Sequence, residues 1–448
     1  MRFSHFMRFS SAGLAVFALP LLLVGCIGQT FDSINSVNPF KGEEKVLAGE
    51  RKSIVTTTEE ERAAGSVSIG GPSALAQWSQ PGGNAQNAPG HVSLSGGGGG
   101  QAWKVRGVAE SGRRAIRSSA PPLVMGGRIF TYSADGSVTA LSAGGGKQWS
   151  VSLKPEKENS LAGGGGIAFS GDAIIAATGY GDVVALNPAN GARLWTYELE
   201  SAARSAPTAA GGKVYLVSVT NVLHAINIAD GSQAWTAPGV AESAGLLSAA
   251  SPAVSGNTVV VPFSSGEIAA FDTKDGQLKW VDAVVQSGRT LAVSGLTDVA
   301  ASPVIVDGVV YATGVAGRTI AVSLSKGERL WEQNVGSAYT PIISGNAIFI
   351  VDLEDNVIAL ERKTGKTFWR TALPVVRKKK FFSVWAGPSL AGGALWVVSN
   401  DGNIASLDPA TGSLRNSRPL DAKAYSKPIA AAGQLYVVTG DGSLIALR

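Results

Sequence analysis

Cysteine, histidine and charge are all scarce in this chain of 448 residues. Cys26 is the sole cysteine, which excludes an internal disulfide and any multi-cysteine zinc site. The three histidines, His5, His91 and His224, are far apart in sequence. A His-rich metal centre therefore lacks material, and a His-based triad would have to use an isolated residue. Charged residues are 16% of the chain and the formal charge is +5, with Arg2 and Arg8 supplying two of those units. The remaining excess is small and scattered, apart from one short run, which is not the footprint of a nucleic-acid binder. The apolar run at residues 12–24 falls short of the ~20 residues that a transmembrane helix needs.

That run follows Arg2 and Arg8 and reads as a signal-peptide core. Leu23-Val24-Gly25-Cys26 resembles a bacterial lipobox. The resemblance implies cleavage between Gly25 and Cys26, a diacylglycerol on the Cys26 thiol, and a further acyl chain such as palmitate on the new N-terminus. Each buried CH₂ adds ~0.8 kcal/mol, so two or more chains anchor stably where one does not. Ile27 stands where aspartate would signal retention at the inner membrane. The resemblance thus implies the outer membrane, on its periplasmic face. An ordinary secretory leader with an incidental cysteine is the alternative. Residues 1–25 are read as the leader and 26–75 as a polar tether, for which "TTTEEERAAG" is typical.

What the chain has in abundance is repetition. G-x-x-x-W recurs at Gly99/Trp103, Gly145/Trp149, Gly191/Trp195, Gly231/Trp235, Gly276/Trp280, Gly327/Trp331 and Gly365/Trp369. An eighth copy keeps Gly412 and has Asn416 in place of tryptophan. Each period runs in one order: proline then glycine, a β-branched run, a turn such as Asp401-Gly402, a strand such as "SLD", and a second turn before the tryptophan strand. Asp-Gly turns of this kind supply positive φ and mark hairpins. Four short antiparallel strands per period, with tryptophans 38 to 51 residues apart, predict a propeller blade. The fold class is all-β: residues 76–448 form an eight-bladed propeller of four-stranded blades. The last copy ends after its third strand, and "GGQAWKV" supplies a spare strand to complete it. Seven blades is the alternative count.

These repeats resemble the PQQ-type propeller repeat over about residues 100–448, and "WSQPGGNAQNAPGH" resembles the entry segment of such propellers. With the lipobox, the chain is similar to the BamB family, lipoproteins of the outer-membrane β-barrel assembly machinery. The resemblance implies a non-catalytic scaffold with no cofactor. Its partners would be the POTRA domains of BamA and other subunits of the complex, with nascent barrel proteins as candidate clients. Two other functions share the evidence. One is a PQQ-dependent quinoprotein dehydrogenase, which would need a calcium-carboxylate site, a base and, in many cases, a cysteine pair. The other is a lipid-anchored adaptor for a different partner.

Candidate contact residues lie on two long connections, 239–252 and 283–303, since loops on rigid scaffolds commonly carry recognition. In the BamB family the matching loops bear the BamA contact. The resemblance carries over to Leu246 and Leu247 in the first and to Leu296 and Asp298 in the second. The family's arginine after the leucines is Ser248 here, its second aspartate is Ala300, and Arg289 is a candidate replacement cation. The one basic run, Arg377, Lys378, Lys379 and Lys380, is followed by Phe381, Phe382 and Trp385. It is either a contact for anionic lipid or an acidic partner, or a solvated link between blades. The repeated tryptophans are expected to pack blade on blade.

Overall fold

The computed structural model describes residues 61–109, 120–240, 250–284, 300–375, 377–378, 381–420 and 422–448. Among the described residues there is no helix, and the strands form eight four-stranded antiparallel sheets plus one small ribbon. Seven sheets use consecutive strands, within 123–152, 165–198, 208–238, 253–283, 304–333, 342–372 and 385–419. The eighth takes 429–447 and is completed by Gln101–Val105, which pairs antiparallel with Leu444–Leu447. These are blades 1 to 8 of a propeller, closed by the strand that the repeats predicted.

Each blade is covered on both faces by its neighbours, so its middle strands read as continuous apolar runs. Every residue of Ala173–Thr178 and of Ala394–Ser399 is buried. The outermost strand faces solvent along one edge and alternates in exposure, as in Arg193–Glu198. First strands of neighbouring blades touch one another and ring the axis.

The tryptophans occupy one register position in the outer strand, opposite an alanine of the third strand. Examples are Ala140 with Trp149, Ala270 with Trp280 and, in the closing blade, Ala446 with Trp103. In six cases the indole Nε1 donates to a carbonyl of the following blade, as from Trp149 to Pro188 at 3.1 Å and from Trp280 to Leu324 at 2.8 Å. Apart from Gly99, whose Cβ would meet nothing within 4 Å, the glycine of each motif serves the tryptophan of the blade before it. Gly276 lies against Trp235, and a Cβ there would stand 2.5 Å from the ring; its φ is +76°, a conformation that side chains other than glycine's avoid. The eighth copy keeps its glycine for the same reason, since Gly412 packs on Trp369. Blade 7 departs from the rule. Asn416 faces Ser406, and the large ring sits two strands inward as Trp396, against which Gly98 rests.

Candidate interaction face

An irregular segment closes one end of the axis. Trp78 and Val124 exchange both backbone hydrogen bonds, at 2.7 and 3.0 Å. Phe169 N donates to Ser79 O, Ala209 N to Gln80 Oε1, Val254 N to Ala85 O and Ile305 N to Gln86 O, at 2.7 to 3.0 Å. These five amides hold one register position in the first strands of blades 1 to 5. Left bare, that inner edge would leave a row of unpaired donors, which is costly. Asn87 is fully buried, and its Nδ2 donates to Pro303 O at 3.0 Å and to Ser251 O and Pro252 O, each at 3.3 Å. His91 accepts from Gly393 N at Nε2 (2.9 Å) and has Nδ1 2.8 Å from Gly70 O. An amide can only donate and a carbonyl only accept, so the ring is the neutral Nδ1–H tautomer. Val92 bonds blade 7 through Leu390, Ser68 bonds blade 6 through Asn346, and Leu75 bonds blade 8 through Ala432. Contacts with the propeller thus begin near residue 62, where Arg62 bridges Thr367, inside the stretch read from sequence as tether.

Strand direction assigns the other face. Turns between first and second strands, and between third and fourth, emerge on the plugged side. Turns between second and third strands, and the links between blades, emerge on the opposite, open side. The link following each blade is pinned to that blade's own turn, as Leu153 N to Gly136 O and Leu373 N to Asp355 O, both at 2.9 Å. Carboxylates in these turns are committed to local donors. Asp135 accepts from Ser137 N and Oγ, both at 2.9 Å. Asp352 accepts from Glu354 N, Asn356 N and Arg370. Among the described residues no group of three His, Cys, Asp or Glu could hold a metal. That donor set does not fit a calcium-quinone site.

One polar cluster on the open side was not legible in sequence. His224, almost fully buried, has Nε2 2.9 Å from Glu200 Oε2, and Glu200 Oε1 accepts from Ser218 Oγ at 2.8 Å and Thr220 Oγ1 at 3.0 Å. Burial pushes the Glu200 carboxyl up. Hydrogen bonds from Ser218, its own amide and Thr220, with the His224 imidazole, outweigh that and hold it below its ordinary value. Ser218 donates to the carboxylate rather than to the imidazole, so the cluster is not arranged as a serine–histidine–carboxylate triad. Nothing in the repeat pattern marks Glu200, which lies in a link.

Of the residues singled out from sequence, Gly25, Cys26, Leu246, Leu247, Arg289, Leu296, Asp298, Lys379 and Lys380 lie outside the described residues. The frames that hold the two long links are described. Gly239 N donates to Asn221 O at 2.8 Å, and the buried Asn221 donates to Val240 O at 2.7 Å. Val284 N donates to Gly266 O at 3.0 Å. The links re-enter at Ser251 and Ser302, where Ser251 N donates to Ser302 Oγ at 2.8 Å. The two links therefore share one border on the open face. Arg377–Lys378 pairs with Phe381–Phe382 as a two-stranded ribbon between blades 6 and 7. Trp385 is part of the core, with Nε1 donating to Pro374 O at 2.7 Å, so it is no partner for that ribbon at a surface.

A protein-family model described as "Outer membrane protein assembly factor BamB" matches residues 87–193, 134–371 and 375–448. The chain belongs to the BamB family. BamB of Yersinia pestis is 30% identical over 312 residues, 67% of this chain and 79% of its own length. BamB of Escherichia coli K12 is 28% identical over 308 residues, covering 67% and 77%. The crystal structure of BamB from Moraxella catarrhalis matches with a TM-score of 0.64 at 19% identity, over 78% of this chain and 99% of that one. A europium-containing methanol dehydrogenase reaches the same TM-score of 0.64 at 14% identity, over 81% and 89%. Likeness at that identity is one of fold alone. Family membership places the chain with BamB assembly factors and not with the dehydrogenases that share the propeller.

Proposed function

We propose that this chain is a non-catalytic scaffold for outer-membrane β-barrel assembly, held by lipid at Cys26 to the periplasmic face of the outer membrane. Membership of a family named for outer membrane protein assembly carries this reading. Its partner is the POTRA region of a BamA homologue, met by Leu246 and Leu247 from one link and by Leu296 and Asp298 from the next, with Arg289 as the added cation. Two observations support that surface. The plug occupies the opposite end of the axis, and the two links re-enter side by side at the Ser251–Ser302 hydrogen bond.

Photo-crosslinkers at positions 247 and 298, in cells carrying the BamA homologue, test this. Adducts with the POTRA region are expected from both positions. A crosslinker at Gly392, on the plugged face, is expected to give none. Adducts from position 392 alone would reject the proposed surface.

A further inference from the structure

One register position of the first strands stands at the open end of the axis. It is held by Pro121, Gly166, Ala206, Ser251, Ser302, Thr340, Gly387 and Lys427, each two residues before the residue that pairs into its blade's tryptophan row. Members of this ring touch across blade boundaries. Ser251 N donates to Ser302 Oγ at 2.8 Å and Ser302 N to Thr340 Oγ1 at 3.1 Å. A Cβ on Gly166 would meet the Cβ of Ala206 at 2.6 Å and that of Ala120 at 2.8 Å. Seven of the eight members are uncharged, and Lys427 alone carries a charge.

At two members, Ser302 and Thr340, the side chain accepts a neighbour's amide hydrogen. An ammonium has no acceptor and cannot play that part. Its neighbour in the ring, Gly387, has no side chain to meet it. Among the described residues no hydrogen bond or ion pair engages Lys427, and burial alone acts on its amine. Yet Lys427 keeps part of its surface in solvent. It is a cation enclosed by protein and open to water, without a counter-charge among the described residues, at the end of the axis opposite the plug.

We propose that Lys427 is the anchoring cation of an anion site at the open end of the propeller axis, taking a small carboxylate- or phosphate-bearing ligand. Burial pulls its amine down to about 8, so a bound anion also restores the charge that the site disfavours.

The test is NMR of the full-length soluble chain with its lysines reductively ¹³C-methylated. Lys427→Gln assigns the Lys427 resonance, and Lys427→Arg keeps the cation. Inorganic phosphate and citrate are titrated separately, against chloride at equal ionic strength. The Lys427 resonance is expected to titrate below the other lysines and to move with phosphate or citrate at concentrations up to about 10 mM, the regime of a weak site. Its midpoint should rise when the anion is bound. Calorimetric binding should persist in Lys427→Arg and fall at least tenfold in Lys427→Gln. The two titrations separate a phosphate preference from a carboxylate one. No movement with either anion beyond that in chloride, or the same movement at exposed lysines, overturns the proposal. So does unchanged binding in Lys427→Gln.

Discussion

A single atom decides the spacing of the repeated motif. G-x-x-x-W reads in sequence as one unit, yet its glycine and tryptophan belong to different contacts. Gly327 rests on Trp280, while Trp331 waits for Gly365. This is why tryptophan can vanish at Asn416 while Gly412 remains. Sequence spacing shows the recurrence and cannot show which side of a blade boundary each partner serves. Gly276→Ala and Gly256→Ala separate the two demands on such glycines. Both have positive φ, but a Cβ at Gly256 meets nothing within 4 Å. Left-handed backbone costs a residue with a Cβ about 1–2 kcal/mol, and that is the expected loss at Gly256. Overpacking against Trp235 adds about 1–3 kcal/mol at Gly276. Urea midpoints of the two variants measure the difference, and equal losses would show that the ring contact does not constrain the position.

At the level of the element, the propeller's strands were legible, while its plug was legible only as an entry segment without its contacts. Strands announce themselves by apolar runs and Asp-Gly turns, repeated often enough that one weak copy is rescued by the others. Residues 78–91 have no period, because each backbone group answers a different blade. The resemblance marks them as an entry segment, and only the register of the first strands gives them work. Asn87 is the centre of that work, bonding carbonyls of blades 4 and 5 from a left-handed backbone with φ of +56°. Asn87→Ala removes one donor from the carbonyls of Ser251, Pro252 and Pro303, of which Pro252 keeps Thr208 Oγ1, at a cost of about 1–3 kcal/mol. Hydrogen exchange should show the Val254 and Ile305 amides losing protection, since these bond the adjacent Ala85 and Gln86. Amides of Gln434–Val438, in blade 8 across the ring from blades 4 and 5, should keep theirs. Uniform loss across all blades would mean that the plug is not a separate element.

Across the whole molecule, blade 8 is bounded by the two interfaces that lack the indole-to-carbonyl bond. Blade 7 offers Asn416 instead of tryptophan, and Trp103 Nε1 has no hydrogen-bond partner among the described residues. The closing strand is instead clipped by Lys104, 2.9 Å from Asp441. Burial pushes the Asp441 carboxyl up, but Thr439, Lys104 and Ser443 outweigh it and hold it well below the usual carboxylate range. A depressed folded value stabilises fully above the unfolded value, near 3.9, and is lost as pH falls through the folded one. Exchange at Gln101–Val105 and Leu444–Leu447, corrected for intrinsic rates, should therefore quicken as pH drops below about 4. Asp441→Asn should lose that pH dependence, and an equal response in blades 2 to 5 would count against a local seam. Ring size and closure were readable because eight copies and one spare strand leave a single tidy arrangement. The candidate contacts fell on the links, where the repeat imposes no residue, and only their frames come from the blades. The order of events along the N-terminal chain has a mechanical consequence. A pull from upstream of residue 61 acts first on the Glu61–Thr367 and Ala63–Thr367 bonds at the rim of blade 6, then on Ser68–Asn346. It must peel the chain through His91 and Ser95 before reaching the strand at 101–105. The plug is thus a strain relief for the latch, and such a pull would fray the rim while the ring stays shut.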